Sequence, residues 1–441
     1  MSNGKLVYLK TFGCQMNVHD SEKMLSILAE HEYRPTRDIH RADVILLNTC
    51  SVRAKPEHKV YSTLGRLEKL KEGNHQLIIG VGGCVAQQEV PRLLDRIGHL
   101  DLVLGTHNIH RLPELIRDVQ ATRRTVCAVD FCDEVRSLDI SPIPSNGEKL
   151  KSYVTIMQGC DNFCSFCIVP HVRGREKSRP SENILGEIRA LSKRDVREVA
   201  LLGQNVNSYG RDLSGGLTFA QLLAHINEIE GTWRIRFTTS HPKDISEELI
   251  RAFGKLEKVC EHIHLPFQSG SDRVLERMNR GYTRKQYMEK ARLLREACTD
   301  IGITADVMVG FPGEDERDFH ETLDLIKRVQ FDNLFSFKYS PRKGTEAARF
   351  PDQIDESTKS RRLRILQELQ KQITLDRNQA LEGRHEEILV EGVSKRGKGE
   401  MTGRTSSNKV VNFTGTPDLI GQLVKVRIEE GYANSLKGKI M

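Results

Sequence analysis

Three cysteines lie within eight residues near the middle of the chain and form its most specific chemical pattern. They are Cys160, Cys164 and Cys167, spaced C-x3-C-x2-C. Thiolates at this spacing can bind one four-iron cluster from a single loop. Because three thiolates leave one of the irons without a protein ligand, the cluster would keep an open position, which is typical of reactive metal sites.

An open iron can bind the amino and carboxylate groups of S-adenosylmethionine (SAM), and one electron then cleaves the sulfonium to give a 5′-deoxyadenosyl radical. Phe166, directly before the third cysteine, could pack near the adenine. Two alternatives are a zinc site, with His171 as the nearest further ligand, and buried cysteines without a ligand. Zinc normally takes two Cys-x2-Cys pairs or Cys/His pairs, so the open cluster is favoured.

Three further cysteines, Cys14, Cys50 and Cys84, are spaced by about one βα unit each. Each follows a predicted strand by a few residues. Turn residues stand beside them: Gly13, Asn48 and Gly83. Parallel strands would deliver all three thiols to the same carboxyl edge, which predicts a second metal site and, by the same open-iron reasoning, a cluster able to carry an exogenous sulfur. The alternative is three independent buried cysteines.

The first part of the chain alternates strand-like and helix-like apolar patterns. Strands are predicted at residues 7–9, 44–47, 77–81 and 102–104. Helices are predicted at 21–30, 56–71 and 88–97. This alternation predicts an N-terminal α/β domain with a parallel sheet covered by helices.

The alternation resumes in the centre of the chain. Six strands are predicted, at 153–157, 198–202, 234–238, 262–265, 304–309 and 333–336. About six βα units predict a partial (β/α) barrel with its chemistry at the carboxyl ends of the strands.

An amphipathic helix at 355–375 precedes a change of pattern. Short strands at 387–390, 409–413 and 422–428 then predict a small C-terminal β-barrel. A linker rich in Pro, Ser and Gly at 139–147 marks the first boundary. The predicted domains are therefore 1–138, 148–374 and 375–441.

The composition sets wider limits. A length of 441 residues predicts two or three domains, and a net charge of +7 permits a polyanionic partner without requiring one. No segment approaches the roughly 20 apolar residues of a membrane span, and the N-terminus has no signal-like apolar region. We therefore expect a cytoplasmic protein without membrane association. Four cysteines without ligand spacing are interpreted as structural: Cys127, Cys132, Cys260 and Cys298.

The central cysteine motif resembles the radical SAM superfamily, and later segments agree with that resemblance. Residues that follow the second, fourth and fifth barrel strands are, by this resemblance, candidate SAM contacts: Gln204, Asn205, Gln268, Ser269 and Gly310. The first two would hold the SAM amino group, the next two would meet the ribose, and Gly310 would border the adenine. The alternative interpretation is that these segments are only tight βα turns.

Several motifs together resemble the methylthiotransferases over essentially the whole chain. They are Thr-Phe-Gly-Cys-Gln-Met-Asn at 11–17, Asn-Thr-Cys-Ser-Val-Arg at 48–53, Gly-Gly-Cys at 82–84, and residues 158–167, 169–176 and 204–207. The C-terminal segments 403–405, 421–428 and 436–438 are similar to a TRAM domain. The residues after Cys14 are similar to the MiaB-type tRNA enzymes, whereas the RimO-type enzymes, which modify a ribosomal protein, usually differ there.

The resemblance implies methylthiolation of carbon 2 of N6-dimethylallyladenosine in a tRNA anticodon loop. It implies two [4Fe-4S] clusters, one binding SAM at Cys160, Cys164 and Cys167 and one auxiliary at Cys14, Cys50 and Cys84, with SAM used twice. The expected partners are tRNA, a reductant such as flavodoxin or ferredoxin, and a sulfur or cluster donor, and we expect a monomer. Alternatives are a ribosomal-protein substrate, threonylcarbamoyladenosine tRNA, and a non-enzymatic iron–sulfur or RNA-binding protein.

Basic residues that could contact RNA phosphates occur in all three predicted domains. They are Arg53, Lys55, Lys59, Arg66, Arg173, Arg175, Lys395, Arg396, Lys398, Arg404 and Lys409. Arg173 and Arg175 lie close to the cluster loop and are equally explained as salt-bridge partners that hold it.

Overall fold

The computed structural model describes residues 4–51, 54–132, 136–142, 150–395, 397 and 399–441, except the side chains of 54–58. Four of the predicted RNA contacts lie outside this description: Arg53, Arg396, Lys398 and the side chain of Lys55. Residues 143–147 of the predicted linker do so too.

The N-terminal domain is built on six parallel strands. These are β1 (Leu6–Thr11), β2 (Arg34–Pro35), β3 (Val44–Thr49), β4 (Ile78–Gly83), β5 (Leu102–Leu104) and β6 (Val126–Ala128), in the sheet order β2-β1-β3-β4-β5-β6. The helices are α1 (Gln15–Ala29), α2 (Ala54–Gly73), α3 (Cys84–Gln88), α4 (Val90–Arg96) and α5 (Leu112–Thr122). The prediction of a parallel α/β domain is confirmed.

Successive residues of the central strands pack on opposite faces of this sheet. Val44 and Ile78 pack with α1 and α5, whereas Ile45 and Ile79 pack with α2, α3 and α4. Burial on both faces explains why these strands are continuous apolar runs. The helix predicted at 88–97 is confirmed as α4, with Pro91 tolerated in its first turn, whereas the short α3 before it was not predicted.

The central domain is a partial barrel of six parallel strands. They are β7 (Lys151–Thr155), β10 (Glu198–Leu202), β11 (Arg234–Phe237), β12 (His262–His264), β13 (Gly302–Val309) and β14 (Asn333–Lys338). Two three-stranded sheets, β7-β10-β11 and β12-β13-β14, are joined by a bridge between Ile235 and Val259. The short strands β8 (Met157–Gln158) and β9 (Lys177–Ser178) form a separate antiparallel pair. The predicted partial barrel is confirmed, although the predicted strand at 153–157 is split between β7 and β8.

Helices cover the outside of the barrel. They are α6 (Val169–Arg173), α7 (Ser181–Ser192), α8 (Phe219–Asn227), α9 (Glu247–Phe253), α10 (Asp272–Arg277), α11 (Arg284–Ala297), α12 (Glu316–Val329) and α13 (Glu356–Gln379). Leu366 and Ile373 of α13 are part of the central core. The predicted boundary at 374 therefore falls inside α13.

The C-terminal domain is a closed barrel of five strands. They are β15 (His385–Val393), β16 (Glu400–Arg404), β17 (Val410–Thr414), β18 (Leu423–Gly431) and β19 (Leu436–Ile440), in the order β15-β16-β17-β19-β18. The small barrel was predicted, but β16 and β19 were not. Glycines take inner positions of both strands, at 403 and 438, where a Cβ would lie 2.4 Å from the Leu389 carbonyl oxygen and 2.4 Å from Val426 Cγ1. Few apolar side chains, Met401 in β16 and Leu436 and Ile440 in β19, are therefore left to mark the buried face.

The C-terminal barrel docks on the amino ends of the central strands. Arg234 donates to the carbonyl oxygens of Arg404 and Glu387, and Arg236 donates to those of Thr405 and Ser406. Because four hydrogen bonds and buried cations meet there, the barrel has a fixed position on the central domain.

We predict that Gly403→Val destabilises the C-terminal barrel by about 1–3 kcal/mol, because its side chain would overlap the β15 backbone. The midpoint of urea unfolding, followed by circular dichroism, measures this. Gly186→Ala is the matched control, since a Cβ on this residue of α7 meets nothing within 4 Å. It should leave stability unchanged or raise it by up to about 1 kcal/mol. Equal midpoints for Gly403→Val and the wild type would contradict the packing described.

Candidate metal centres

The three N-terminal cysteines follow three adjacent strands of one sheet. Cys14 comes after β1 and caps α1, Cys50 directly follows β3, and Cys84 follows β4 as the first residue of α3. Gly13 has a φ of +135°, and a Cβ there would lie 2.3 Å from Cys50 Cβ, so glycine allows these two loops to meet. The structure brings the three residues to one edge, as their spacing predicted.

Two asparagines hold these loops together. Cys14 Sγ donates to Asn17 Oδ1 at 3.3 Å, and Asn17 Nδ2 donates to the Thr49 carbonyl oxygen at 3.0 Å. Asn48 Nδ2 donates back to the Asn17 carbonyl oxygen at 2.8 Å. The asparagines of both motifs, at 17 and 48, therefore help to fix the position of the cysteine edge.

The thiols of this edge differ in their electrostatic environment. A hydrogen bond with Cys50 lowers the pKa of Cys14 to about 6, and the charge of Arg173 contributes in the same direction. Burial raises the pKa of Cys84, and Arg173 opposes that effect. Arg173 is 3% exposed, so its predicted contact with RNA is wrong, and the alternative of a salt bridge is confirmed by its pairing with Asp20.

The two sets of cysteines are joined by direct packing. Cys84, at the start of α3, is in contact with Ile168 and Val172 at and just before α6. Ile168 directly follows Cys167 of the central motif. The two cysteine motifs, 76 residues apart between Cys84 and Cys160, are therefore neighbours in space.

The central cysteine loop follows the β8 strand and is held by polar contacts to its thiols. Arg280 Nη1 donates to Cys164 Sγ at 3.3 Å, and His241 Nε2 lies 3.9 Å from the same sulfur. Asn162 Nδ2 donates to Cys160 Sγ at 3.7 Å. Such second contacts orient ligand thiolates and stabilise their negative charge.

When no cation is bound, burial disfavours the deprotonated, thiolate form of these cysteines. It raises the pKa of Cys160 to about 11 and that of Cys167 to about 12, with the neighbouring Cys164 adding to the latter. A bound metal deprotonates a coordinating thiol outright. The donor set, three thiols of one loop with an arginine at hand to offset their charge, therefore fits a cluster.

A zinc site would need a fourth ligand beside the three thiols of the central loop. His171, the suggested further ligand, is exposed on α6.

Two of the predicted SAM contacts organise the loop after β10. Gln204 is half-buried, and its Oε1 accepts from the Gly159 amide at 2.6 Å. Asn205 is buried, donates to Asp244 Oδ2 at 2.8 Å and accepts from the His241 amide at 3.2 Å. These residues connect the cysteine loop to neighbouring strand ends, and direct contact with SAM stays a prediction.

The other four candidate SAM contacts differ in their burial and in the residues that they contact. Phe166 is half-buried and packs edge-on against Phe311. Gln268, with a φ of +64°, bridges Asp306 and Met308 through its backbone. The buried Ser269 hydroxyl is within hydrogen-bonding distance of the Thr322 hydroxyl in α12, so it already has a partner. Gly310 has a φ of +70° and donates its amide to Glu314 Oε1 at 2.8 Å. All four lie in the loops between barrel elements, and their ligand roles stay predictions.

Four polar side chains at the carboxyl ends of barrel strands have buried atoms without a hydrogen-bond partner among the described residues. They are Gln158, Asn207, Ser240 and Tyr339. Buried polar groups are nearly always paired, so this edge fits a polar ligand. The sequence analysis named none of them as a ligand contact, although Gln158 and Asn207 fall within the motifs at 158–167 and 204–207.

The basic residues that were predicted to contact RNA divide into those that pair with a carboxylate group and those that are exposed to solvent. Arg404 pairs with Glu391 within the C-terminal barrel, and Lys409 pairs with Asp332 of the central domain, so it joins the barrel to that domain. Arg175 is exposed and makes a two-fold hydrogen bond to Asp161 in the cysteine loop. Three others are exposed to solvent: Lys59, Arg66 and Lys395.

Comparisons with known families cover all three domains. Residues 6–105 match the Uncharacterized protein family UPF0004, residues 154–326 match the Radical SAM superfamily, and residues 379–441 match the TRAM domain. Each match falls within one of the three predicted domains.

Curated relatives match the full length. A tRNA-2-methylthio-N(6)-dimethylallyladenosine synthase of Syntrophus aciditrophicus (strain SB) is 54% identical, covering 99% of this chain and 95% of the relative. One of Geobacter metallireducens (strain ATCC 53774 / DSM 7210 / GS-15) is 56% identical, covering 100% and 99%. Among solved structures, the radical S-adenosylmethionine methyltransferase TsrM of Kitasatospora setae has a TM-score of 0.57 at 13% identity, covering 78% of this chain and 74% of that one. That likeness shows the fold.

We predict that replacing Cys160, Cys164 and Cys167 together by Ala removes one of two clusters. Iron in the anaerobically reconstituted protein should fall from about eight to about four atoms per chain. Replacing Cys14, Cys50 and Cys84 should have the same effect through the other centre. Replacing the buried Cys260 and Cys298 is the control and should leave iron content unchanged. Full iron in either triple variant would contradict the assignment.

Proposed function

The chain belongs to the tRNA-2-methylthio-N(6)-dimethylallyladenosine synthase family, and we propose that it attaches a methylthio group to carbon 2 of N6-dimethylallyladenosine in a tRNA anticodon loop. The observation that carries the proposal is the direct packing of the two cysteine sets through Cys84, Ile168 and Val172. Radical transfer of a sulfur-bearing group to an inert C–H position needs two adjacent centres, one for the radical and one for the sulfur.

The cofactors of this proposal are SAM and two [4Fe-4S] clusters. Cys160, Cys164 and Cys167 would hold one cluster, and Cys14, Cys50 and Cys84 would hold the other. When bound, the first supplies an open iron for SAM and the electron that cleaves it, and the second carries the sulfur to be transferred.

The residues of the chain position and shield these groups. Arg280 and Asn162 direct N–H groups at the thiols of the central loop, and Gln204 fixes the Gly159 amide before it. The unpartnered polar groups after the barrel strands would bind the polar atoms of SAM. Phe166 and Phe311 would form an apolar wall that limits access of water to a reactive intermediate.

The C-terminal barrel offers a face for RNA phosphates. Arg427 of β18 stands directly opposite Lys439 of β19, and like charges in this position destabilise a sheet. Lys425 and Lys437 are also exposed on these strands, but they stand opposite Glu387 of β15 and Glu430 of β18, so the uncompensated charge is that of Arg427 and Lys439. Phosphate groups would offset this charge, so we assign the face to the stem of the tRNA.

Two substrate alternatives are not favoured. Relatives at 54% and 56% identity carry the name of the dimethylallyladenosine enzyme, rather than that of a ribosomal-protein or threonylcarbamoyladenosine enzyme.

The reaction also needs a one-electron reductant such as flavodoxin or ferredoxin and a donor of sulfur or clusters. No helix within the described ranges combines the length and apolar character needed to cross a bilayer. We further propose that the protein is a monomer and that it works in the cytoplasm.

An anaerobic turnover assay tests the reaction. We predict that the reconstituted protein, with SAM and a reductant, adds a methylthio group to an anticodon stem-loop that bears the prenylated adenosine, and that nucleoside mass spectrometry detects it. The unprenylated stem-loop is the control and should remain unchanged. Formation of 5′-deoxyadenosine with unmodified RNA would retain the radical chemistry and refute the tRNA assignment.

A separate prediction concerns the basic face. Arg427→Gln with Lys439→Gln should weaken stem-loop binding and reduce the slope of log K against log salt by roughly one for each phosphate that the variant no longer binds. Lys285→Gln, an exposed lysine on α11, is the control and should change neither. Equal slopes for the double variant and the wild type would show that this face does not bind the RNA.

A further inference from the structure

Arg173 of the central domain forms an ion pair with the N-terminal domain. Arg173 ends α6, which begins two residues after Cys167. Its Nη2 donates to Asp20 Oδ2 at 2.7 Å, and Asp20 lies on α1, the helix capped by Cys14. Both side chains are almost completely buried. The pair therefore crosses from one domain to the other beside the cysteine edge.

The other terminal nitrogen of this arginine is without a partner in the described part of the chain. Arg173 Nη1 is buried and makes no hydrogen bond to another described residue. A buried N–H group left unpaired is unfavourable, and more so when the group is charged. Val172, the residue before Arg173, packs on Cys84, and Asp20, which holds the guanidinium, lies on the helix capped by Cys14. The guanidinium is therefore held beside the residues that the proposed function assigns to the auxiliary cluster.

Two hydrogen bonds lock the backbone that carries this side chain. Thr106 Oγ1 donates to the Val172 carbonyl oxygen at 2.7 Å, and His107 Nε2 lies 2.9 Å from the Arg173 carbonyl oxygen. His107 Nδ1 accepts from the Cys132 amide, so Nε2 carries the proton and donates. Burial lowers the pKa of His107, which keeps the ring neutral and this arrangement intact.

We propose that Arg173 is a positioning residue that the central domain contributes to the N-terminal centre. Asp20 fixes its guanidinium, and the free N–H groups hold the cluster bound by Cys14, Cys50 and Cys84. This role rests on the proposed function, because it needs a cluster at that edge. The positive charge raises the reduction potential of the centre and strengthens its retention of iron.

The test uses the full chain with Cys160, Cys164 and Cys167 replaced by Ala, so that the auxiliary centre alone is observed. Arg173→Met should shift its midpoint potential to a more negative value and release iron to a chelator about tenfold faster. Asp20→Asn removes a negative charge and should shift the potential in the opposite direction. Arg173→Lys keeps the charge without the planar fork and should restore the potential more than the iron retention.

Arg236→Met is the matched control, because Arg236 is also a buried arginine in an ion pair, with Glu198 at 3.0 Å. It should lower the melting temperature and leave the potential unchanged. If Arg173→Met loses stability like this control but keeps the wild-type potential and iron release, the role is structural and the proposal is refuted. Neither readout uses RNA, so a failure of the tRNA assignment would be seen in the turnover assay alone.

Discussion

The buried ion pair between Arg173 and Asp20 is the interaction on which the arrangement of both cysteine sets depends. Removing one partner of a buried pair typically costs about 3–5 kcal/mol, because the other charge is left buried without compensation. Each of these two side chains therefore depends on a residue of the other domain. Together with the packing of Cys84 on Ile168 and Val172, the pair sets one distance between two sites that belong to different sheets.

Much of the fold follows from local pattern. The apolar runs of β3 and β4 and the repeated strand–helix alternation were enough to predict two parallel α/β units. The elements that escaped prediction carry weak apolar signals. In β16 and β19 inner positions are held by Gly403 and Gly438, because the neighbouring atoms leave no room for a side chain. Glycines at buried positions thus weaken the alternating apolar pattern by which strands are predicted from a sequence.

The site was predictable to the extent that it depends on topology. The spacing of Cys14, Cys50 and Cys84 places them at one edge because parallel strands end together. Partners that are remote in sequence could not be found in this way: nothing in the chain around Arg173 or Lys409 distinguishes a buried ion pair from an RNA contact. The sequence shows that a basic residue is present, but only the folded structure shows with which carboxylate group it pairs.

The docking of the C-terminal barrel constrains evolution unequally on its two sides. The four hydrogen bonds that Arg234 and Arg236 donate to the barrel all end on main-chain carbonyl oxygens, at Glu387 and at residues 404–406. Every residue type supplies a carbonyl oxygen, so these four bonds by themselves place no restriction on the side chains they meet. Ser406 is restricted separately, because its Oγ accepts from the Glu261 amide across the joint. We therefore expect related chains to retain the two arginines more strictly than the residues whose carbonyl oxygens they meet.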